Sequence, residues 1–196
     1  MATQPQARMS VAQYLQRERD AQIKNEFFDG EVFAMAGASP THSLIVGNVV
    51  TALNLQLKGR DCTVHPSDLR VKVAPTGLFT YPDVVVVCGQ KQFAQEDPDT
   101  LVNPRLIVEV LSDSTEAYDR GRKFEHYRTI ESFVEYLLVA QDKCHVERFV
   151  RQADHRWLLS ETSQMDDIIM LESLSCPLVV ADIYAKVTFG VAATGR

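Results

Sequence analysis

RLIVEVL, residues 105–111, is an apolar run broken in its middle by a single acid, Glu109. A run of this length, nearly free of alternation, fits a strand covered on both faces. Two others resemble it: YPDVVVV (81–87), β-branched after a proline, and VEYLLVA (134–140). Residues 115–130, between the second and third runs, are rich in both charge signs and are predicted to be helical. Buried strands with helical segments between them give an α/β chain, a mixed sheet with helices packed on it.

Upstream, Ser10 is placed to cap a short helix to about Arg19, with Val11, Tyr14 and Leu15 on one face. In KNEFFDGEVFAMAG (24–37), Asp29-Gly30 divides two apolar-rich runs, a strong hairpin signal that predicts strands near 24–28 and 31–36. Ser39 and Pro40 then open a helix as cap and first residue. Val46, Val49, Val50, Leu53 and Leu57 give it a core-facing stripe, and Gly59 a stop.

LRVKVA (69–74) alternates as a half-buried strand, and Pro75-Thr76-Gly77 turns the chain. Residues 89–103 are polar, contain Pro98, and are expected to form a surface loop. CHVERFVR (144–151) and RWLLS (156–160) suggest a hairpin around Ala153-Asp154. Residues 161–176 read as loop, and VVADIYAKV closes the chain with strand or short-helix character. No repeat or linker interrupts the chain. Residues 1–196 are therefore expected to form a single domain, with 1–8 polar and loose and a core over 24–184.

The chain has 196 residues, 45% hydrophobic and 23% charged, which excludes a disordered, collagenous or membrane-spanning class. Its net charge of −6 argues against a general nucleic-acid glue, because nonspecific binding rests on neutralising phosphates. Local binding through metal ions or a basic patch stays open. The four cysteines, Cys62, Cys88, Cys144 and Cys176, form no CxxC pair, so a structural zinc site is not expected. MATQPQARMS lacks the apolar run of a signal peptide. The expected setting is a reducing cytoplasm with free thiols and no membrane association.

Three ionisable residues fall where burial is costly: Asp83 at the start of its strand, Glu109 inside its own, and Lys123 in the following helix. Carboxylates on adjacent strands would meet at one sheet edge and offer hard oxygens to a divalent cation such as magnesium. The plain alternative is a pair of structural salt bridges to Arg105, Arg120 or Arg122. No nucleophile elbow, P-loop or dinucleotide glycine pattern is present, and His65, His126, His145 and His155 have no metal-ligand spacing.

Pro82-Asp83, then Glu109-Val110-Leu111-Ser112, then Asp119-Arg120 and Lys123 resemble the PD-(D/E)XK nuclease superfamily. The resemblance is closer to its small single-domain Uma-type restriction-endonuclease family. It extends from about Glu26 to Tyr184 and includes FFDGEVFAMAGASPTH, YPDVVVV, LIVEVLSDSTEAYDRGRKFEHY and VEYLLV. It implies a restriction-endonuclease-like fold: a central mixed β-sheet flanked by helices, with an N-terminal helix and β-hairpin. It also implies a metal-dependent phosphodiesterase site at one sheet edge. Asp83 and Glu109 match the metal-binding carboxylates, with the Val110 backbone carbonyl as a further ligand. Leu111 stands where the superfamily has lysine, and the resemblance implies that Lys123 reaches the same space from the helix, its stem being long and flexible.

Glu31 matches an acidic position after the Asp-Gly turn, as an auxiliary metal ligand or a solvated turn residue. His42 matches a position usually histidine in the family, for substrate or metal water, or else a helix-start residue. Asp119 lies four residues before Lys123 and can pair with it. Tyr127 continues that face, as packing. Arg120 and Arg122 are candidates for the phosphate backbone, or part of a solvated mixed face.

The expected function is a Mg2+- or Mn2+-dependent phosphodiesterase acting on DNA, with Asp83 and Glu109 on the metal and Lys123 assisting water. A homodimer is expected, because one small subunit cuts one strand. The alternative is a catalytically idle nuclease-fold module for binding or assembly. A hydrolase of small phosphoesters is the weaker enzymatic rival.

Overall fold

The computed structural model describes residues 8–189, so most of the N-terminal segment expected to be loose lies outside the described residues. The chain begins with α1 (Val11–Asp20), β1 (Asn25–Phe28), β2 (Glu31–Ala34) and α2 (Pro40–Gln56). It continues through β3 (Cys62–Pro66), β4 (Arg70–Val73), β5 (Leu78–Thr80), β6 (Val84–Cys88), β7 (Phe93–Ala94) and β8 (Asp97–Leu101). Next come β9 (Leu106–Leu111), α3 (Glu116–Tyr118), a π-helical turn at Asp119–Lys123, and α4 (Phe124–Tyr127). β10 (Glu135–Ala140), β11 (Val146–Arg151), β12 (Trp157–Thr162), β13 (Ile168–Leu171), β14 (Cys176–Val179) and α5 (Val180–Ile183) complete the described chain.

Local chemistry accounts for the N-terminal third. Ser10 and Gln13 form a reciprocal capping box on α1. Asp29 and Gly30 both take positive φ, 48° and 83°, as a tight hairpin turn between β1 and β2 requires. Ser39 caps α2 with Pro40 at its first position.

The strands form two six-stranded sheets, ordered β2-β1-β5-β4-β8-β7 and β12-β11-β10-β9-β6-β3, with β13 and β14 paired separately. Both are mixed: β4 runs parallel to β8 and antiparallel to β5 in the first, and β9 runs parallel to β10 and antiparallel to β6 in the second. Alternation along β9 sends Leu106, Val108 and Val110 towards Ile45, Val49 and Leu53 of α2. Ile107 and Leu111 face Phe124, Tyr127 and Tyr136 on the other side. Glu109 shares that second face, so its carboxylate enters the core under the π-helical turn.

Several expectations need correction. The α/β class with mixed sheet and packed helices is as expected, but the strands divide mainly between two sheets rather than one. Residues 89–103 are not simply loop: β7 and β8 lie there, and Asp97, Thr100 and Leu101 are buried. Arg70 secures that segment by ion-pairing with Asp97 and donating to Thr100. Residues 161–176 contain β13 and the start of β14. The helix predicted over 115–130 is three short segments with a π-helical centre. The thiols are not all free: Cys62 and Cys88, opposite one another on β3 and β6, form a disulfide, while Cys144 and Cys176 are free. Among the described residues no helix is long and apolar enough to cross a membrane.

Candidate active site

Asp83 stands one residue before β6. The β6–β9 ladder pairs Val84 with Val108, so Asp83 falls opposite Glu109 where the register continues. The two residues are joined through the backbone. The Val110 N–H donates to Asp83 Oδ2 at 2.8 Å, and the Asp83 N–H donates to Glu109 Oε2 at 3.3 Å. In a strand the N–H and C=O of one residue point to the same side, so the Val110 carbonyl also faces Asp83.

Lys123 arrives from the π-helical turn. Its ammonium lies 2.9 Å from Glu109 Oε1, 3.3 Å from Asp119 Oδ1 and 3.5 Å from Glu26 Oε1. π-helical turns are rare and often mark functional sites. Here the wider turn carries Asp119 and Lys123 inward together, both buried. Four residues on, the Tyr127 hydroxyl donates to Glu109 Oε1 at 2.9 Å, so Tyr127 holds the acid as well as packing. On the open side, His42 near the start of α2 places Nε2 3.1 Å from Asp83 Oδ2. Its Nδ1 is buried with no hydrogen-bond partner among the described residues.

These placements shift the titrations. Burial pushes the Glu109 carboxyl up to about 8, against the pull of Lys123 and with the charges of Asp119 and Asp83 adding to the rise. Burial also raises Asp119, again opposed by Lys123. For Lys123, burial favours the neutral amine, but Glu109, Glu26 and Asp119 outweigh it and hold the ammonium well above its ordinary value. Burial likewise opposes charging of His42, yet the hydrogen bond and charge of Asp83 raise it.

Of the residues singled out from sequence, Asp83, Glu109, Val110, Asp119, Lys123 and His42 are brought together. Glu31 is not: it is exposed on β2, opposite Phe28. Glu26, five residues earlier, is the acid of that hairpin that reaches Lys123. Arg120 lies on the π-helical turn, but its guanidinium is tied to Glu116 and Glu147. Arg122 is exposed. The salt bridges considered for Asp83 and Glu109 with arginines are absent among the described residues; the cation at Glu109 is Lys123.

The donor set suits a hard divalent cation. Asp83, Glu109 and the Val110 carbonyl supply oxygen, and magnesium is commonly held by one or two carboxylates while it keeps several waters. Among the described residues no group of three or more His, Cys, Asp or Glu side chains is disposed to enclose a metal ion. Any ion would be held by the two carboxylates and the carbonyl rather than by side chains alone. The unpartnered Nδ1 of His42 adds a polar group beside it.

Comparison with known proteins gives the family. The family model Uma2, described as "Putative restriction endonuclease", matches residues 11–180. Two proteins of Synechocystis sp. (strain PCC 6803) are similar. Uncharacterized protein sll1609 is 39% identical over 153 residues, 78% of this chain and 86% of its own length. Uncharacterized protein slr1290 is 36% identical over 185 residues, 94% and 96% of the two chains. A crystal structure of "a putative nuclease belonging to DUF820" from Anabaena variabilis superposes with a TM-score of 0.69. It is 16% identical, the match covers 84% of this chain and 91% of that one, and the likeness is one of fold.

Proposed function

The chain belongs to the Uma2 restriction-endonuclease-like family, and from that premise we propose that it is a divalent-cation-dependent phosphodiesterase acting on DNA. Nuclease function in general is what the family description supports; the metal, the substrate and the residue roles are our own reading. One observation carries it: two carboxylates from adjacent strands face one another across the β6–β9 pair, with a buried lysine 2.9 Å from one of them.

Asp83 and Glu109, with the Val110 carbonyl, would hold Mg2+ or Mn2+. Such an ion, once bound, polarises a scissile phosphate and lowers the pKa of an attacking water. Lys123 orients that water and offsets charge developing on the phosphate. Asp119 steadies the lysine from one turn away. Tyr127 fixes the Glu109 carboxylate through its hydroxyl. His42 contacts Asp83 from the open side and is positioned to meet water or substrate there. Arg122, exposed on the π-helical turn, is better placed for a phosphate backbone than Arg120, whose charge two acids already answer.

The core over 24–184, acting as one unit within 1–196, contains every residue named. Two copies would be required to cut both strands of a duplex, so a homodimer belongs to the proposal. So does a cytoplasmic location, against which the Cys62–Cys88 disulfide stands, since reducing compartments disfavour such bonds.

A second reading rests on the engagement of Glu109. Both of its oxygens already accept hydrogen bonds or pair with Lys123, which suits a catalytically idle module using the fold for binding. The test is cleavage of plasmid and single-stranded DNA in magnesium or manganese, with a chelator and the Lys123→Ala variant in parallel. Cleavage lost in both controls establishes the phosphodiesterase. Intact protein that neither cleaves DNA nor gains stability from either metal supports the binding module.

A further inference from the structure

We propose that Glu26 is a positioning residue for Lys123, the anchor that keeps the ammonium aimed when Glu109 is engaged elsewhere. The proposal deepens the phosphodiesterase reading and rests on it for the catalytic part.

Glu26 lies in the middle of β1, in the other six-stranded sheet from Glu109. It is only 8% exposed, and its Oε1 is 3.5 Å from Lys123 Nζ. The same oxygen accepts from the hydroxyl of Thr80, which sits opposite it across the β1–β5 pair. A buried carboxylate is costly, and an apolar side chain at such a site is often no worse for stability. Stability alone therefore does not account for an acid there.

The arithmetic of the ammonium supplies a reason. Lysine has three N–H donors and no acceptor. Three carboxylates face it: Glu109, Asp119 and Glu26. Glu109 is the one that would also serve a divalent cation, and its negative charge is then shared with the ion. Asp119 is on the same π-helical turn as the lysine and moves with it. Glu26 comes from the other sheet, so when Glu109 serves a cation, Glu26 is the carboxylate of the three that still ties the lysine tip to a part of the fold outside its own turn. Its hydrogen bond from Thr80 holds it in place for that task. Partners one step removed from a reacting group typically change activity by about 10- to 100-fold when lost.

The test compares wild type, Glu26→Gln, Glu26→Asp, Lys123→Ala and the Glu26→Gln/Lys123→Ala double variant. DNA cleavage is measured in manganese. Lys123 labelling by acetic anhydride is measured by mass spectrometry on metal-free protein. Expected are a kcat about 10-fold lower in Glu26→Gln with KM unchanged, partial rescue by Glu26→Asp, and no further loss when Glu26→Gln is added to Lys123→Ala. Labelling of Lys123 should rise severalfold in Glu26→Gln. It should not rise in Tyr184→Phe, which loses hydrogen bonds at the distant β10–β11 turn. Unchanged labelling of Lys123 in Glu26→Gln overturns the proposal, as does an equal rise in Tyr184→Phe. If wild type cleaves nothing while labelling responds as expected, the positioning role stands and the phosphodiesterase reading falls.

Discussion

Asp83 and Glu109 hold each other through the main chain: the amide of Asp83 donates to the Glu109 carboxylate, and the amide following Glu109 donates to Asp83. Each acid is thereby fixed by the strand that carries the other. Glu109 lies on β9 and Asp83 one residue before β6, so both acids are carried by or next to paired strands. Sites built on strands hold their geometry more closely than sites on loops.

This rigidity predicts cation binding that depends on both acids and on pH. Titration calorimetry should show Mn2+ or Mg2+ binding that weakens at least about 10-fold in Asp83→Asn and in Glu109→Gln. Bound cation must displace protons from Glu109, whose carboxyl is pushed up to about 8, and must compete with the raised His42. Affinity should therefore climb as pH rises from 6 to 9, with proton release. Equal affinity in Asp83→Asn and wild type would remove these oxygens from the site.

The metal-free protein should show the same group in its stability. The folded pKa of Glu109 is raised above its unfolded value of 4.5. Its contribution is fully present below that value and is lost as pH rises through about 8. Melting temperatures of wild type should fall across this window more steeply than those of Glu109→Gln, in which nothing titrates at that position. Parallel curves for the two proteins would contradict the shift.

Tyr127→Phe removes one hydroxyl and little volume. The hydroxyl is fully buried and donates to a buried acid, so the loss should cost about 1–3 kcal/mol in chemical denaturation. Cleavage should fall as well, because Glu109 loses a fixed partner. A variant as stable and as active as wild type would return Tyr127 to packing alone.

The Cys62–Cys88 bond closes a loop with a sequence separation of 26 and ties edge strand β3 to the strand led by Asp83. Chain entropy assigns such a link about 3.5 kcal/mol. A reductant should lower the melting temperature of wild type and leave Cys62→Ser/Cys88→Ser unaffected. A wild-type melting temperature indifferent to reductant would mean that the bond does not form in solution.

Much of the site could be read from sequence because its members break local rules. Glu109 stands out within an apolar run, and Asp83 opens another. Lys123 follows Glu109 in the next helical segment, while His42 rests on family resemblance, since a helix-start histidine carries no local signal. The acid of the N-terminal hairpin that reaches Lys123 is Glu26, whereas sequence points to Glu31. The two share one hairpin, and only the packing of the two sheets decides which acid is buried. The strands missed were short or polar: β7 has two residues, and β8 reads DPDTL, where burial comes from the Arg70–Asp97 pair. The disulfide depends on the β3–β6 register, a contact that spacing along the chain does not reveal.

The most direct test of the central claim is manganese-dependent cleavage of a labelled DNA duplex by wild type and by Asp83→Asn of matched folded content. Cleavage by wild type and its loss by at least about 100-fold in the variant is the predicted result. Cleavage of equal rate by both proteins would contradict the account, for it would leave the paired carboxylates without a part in the chemistry.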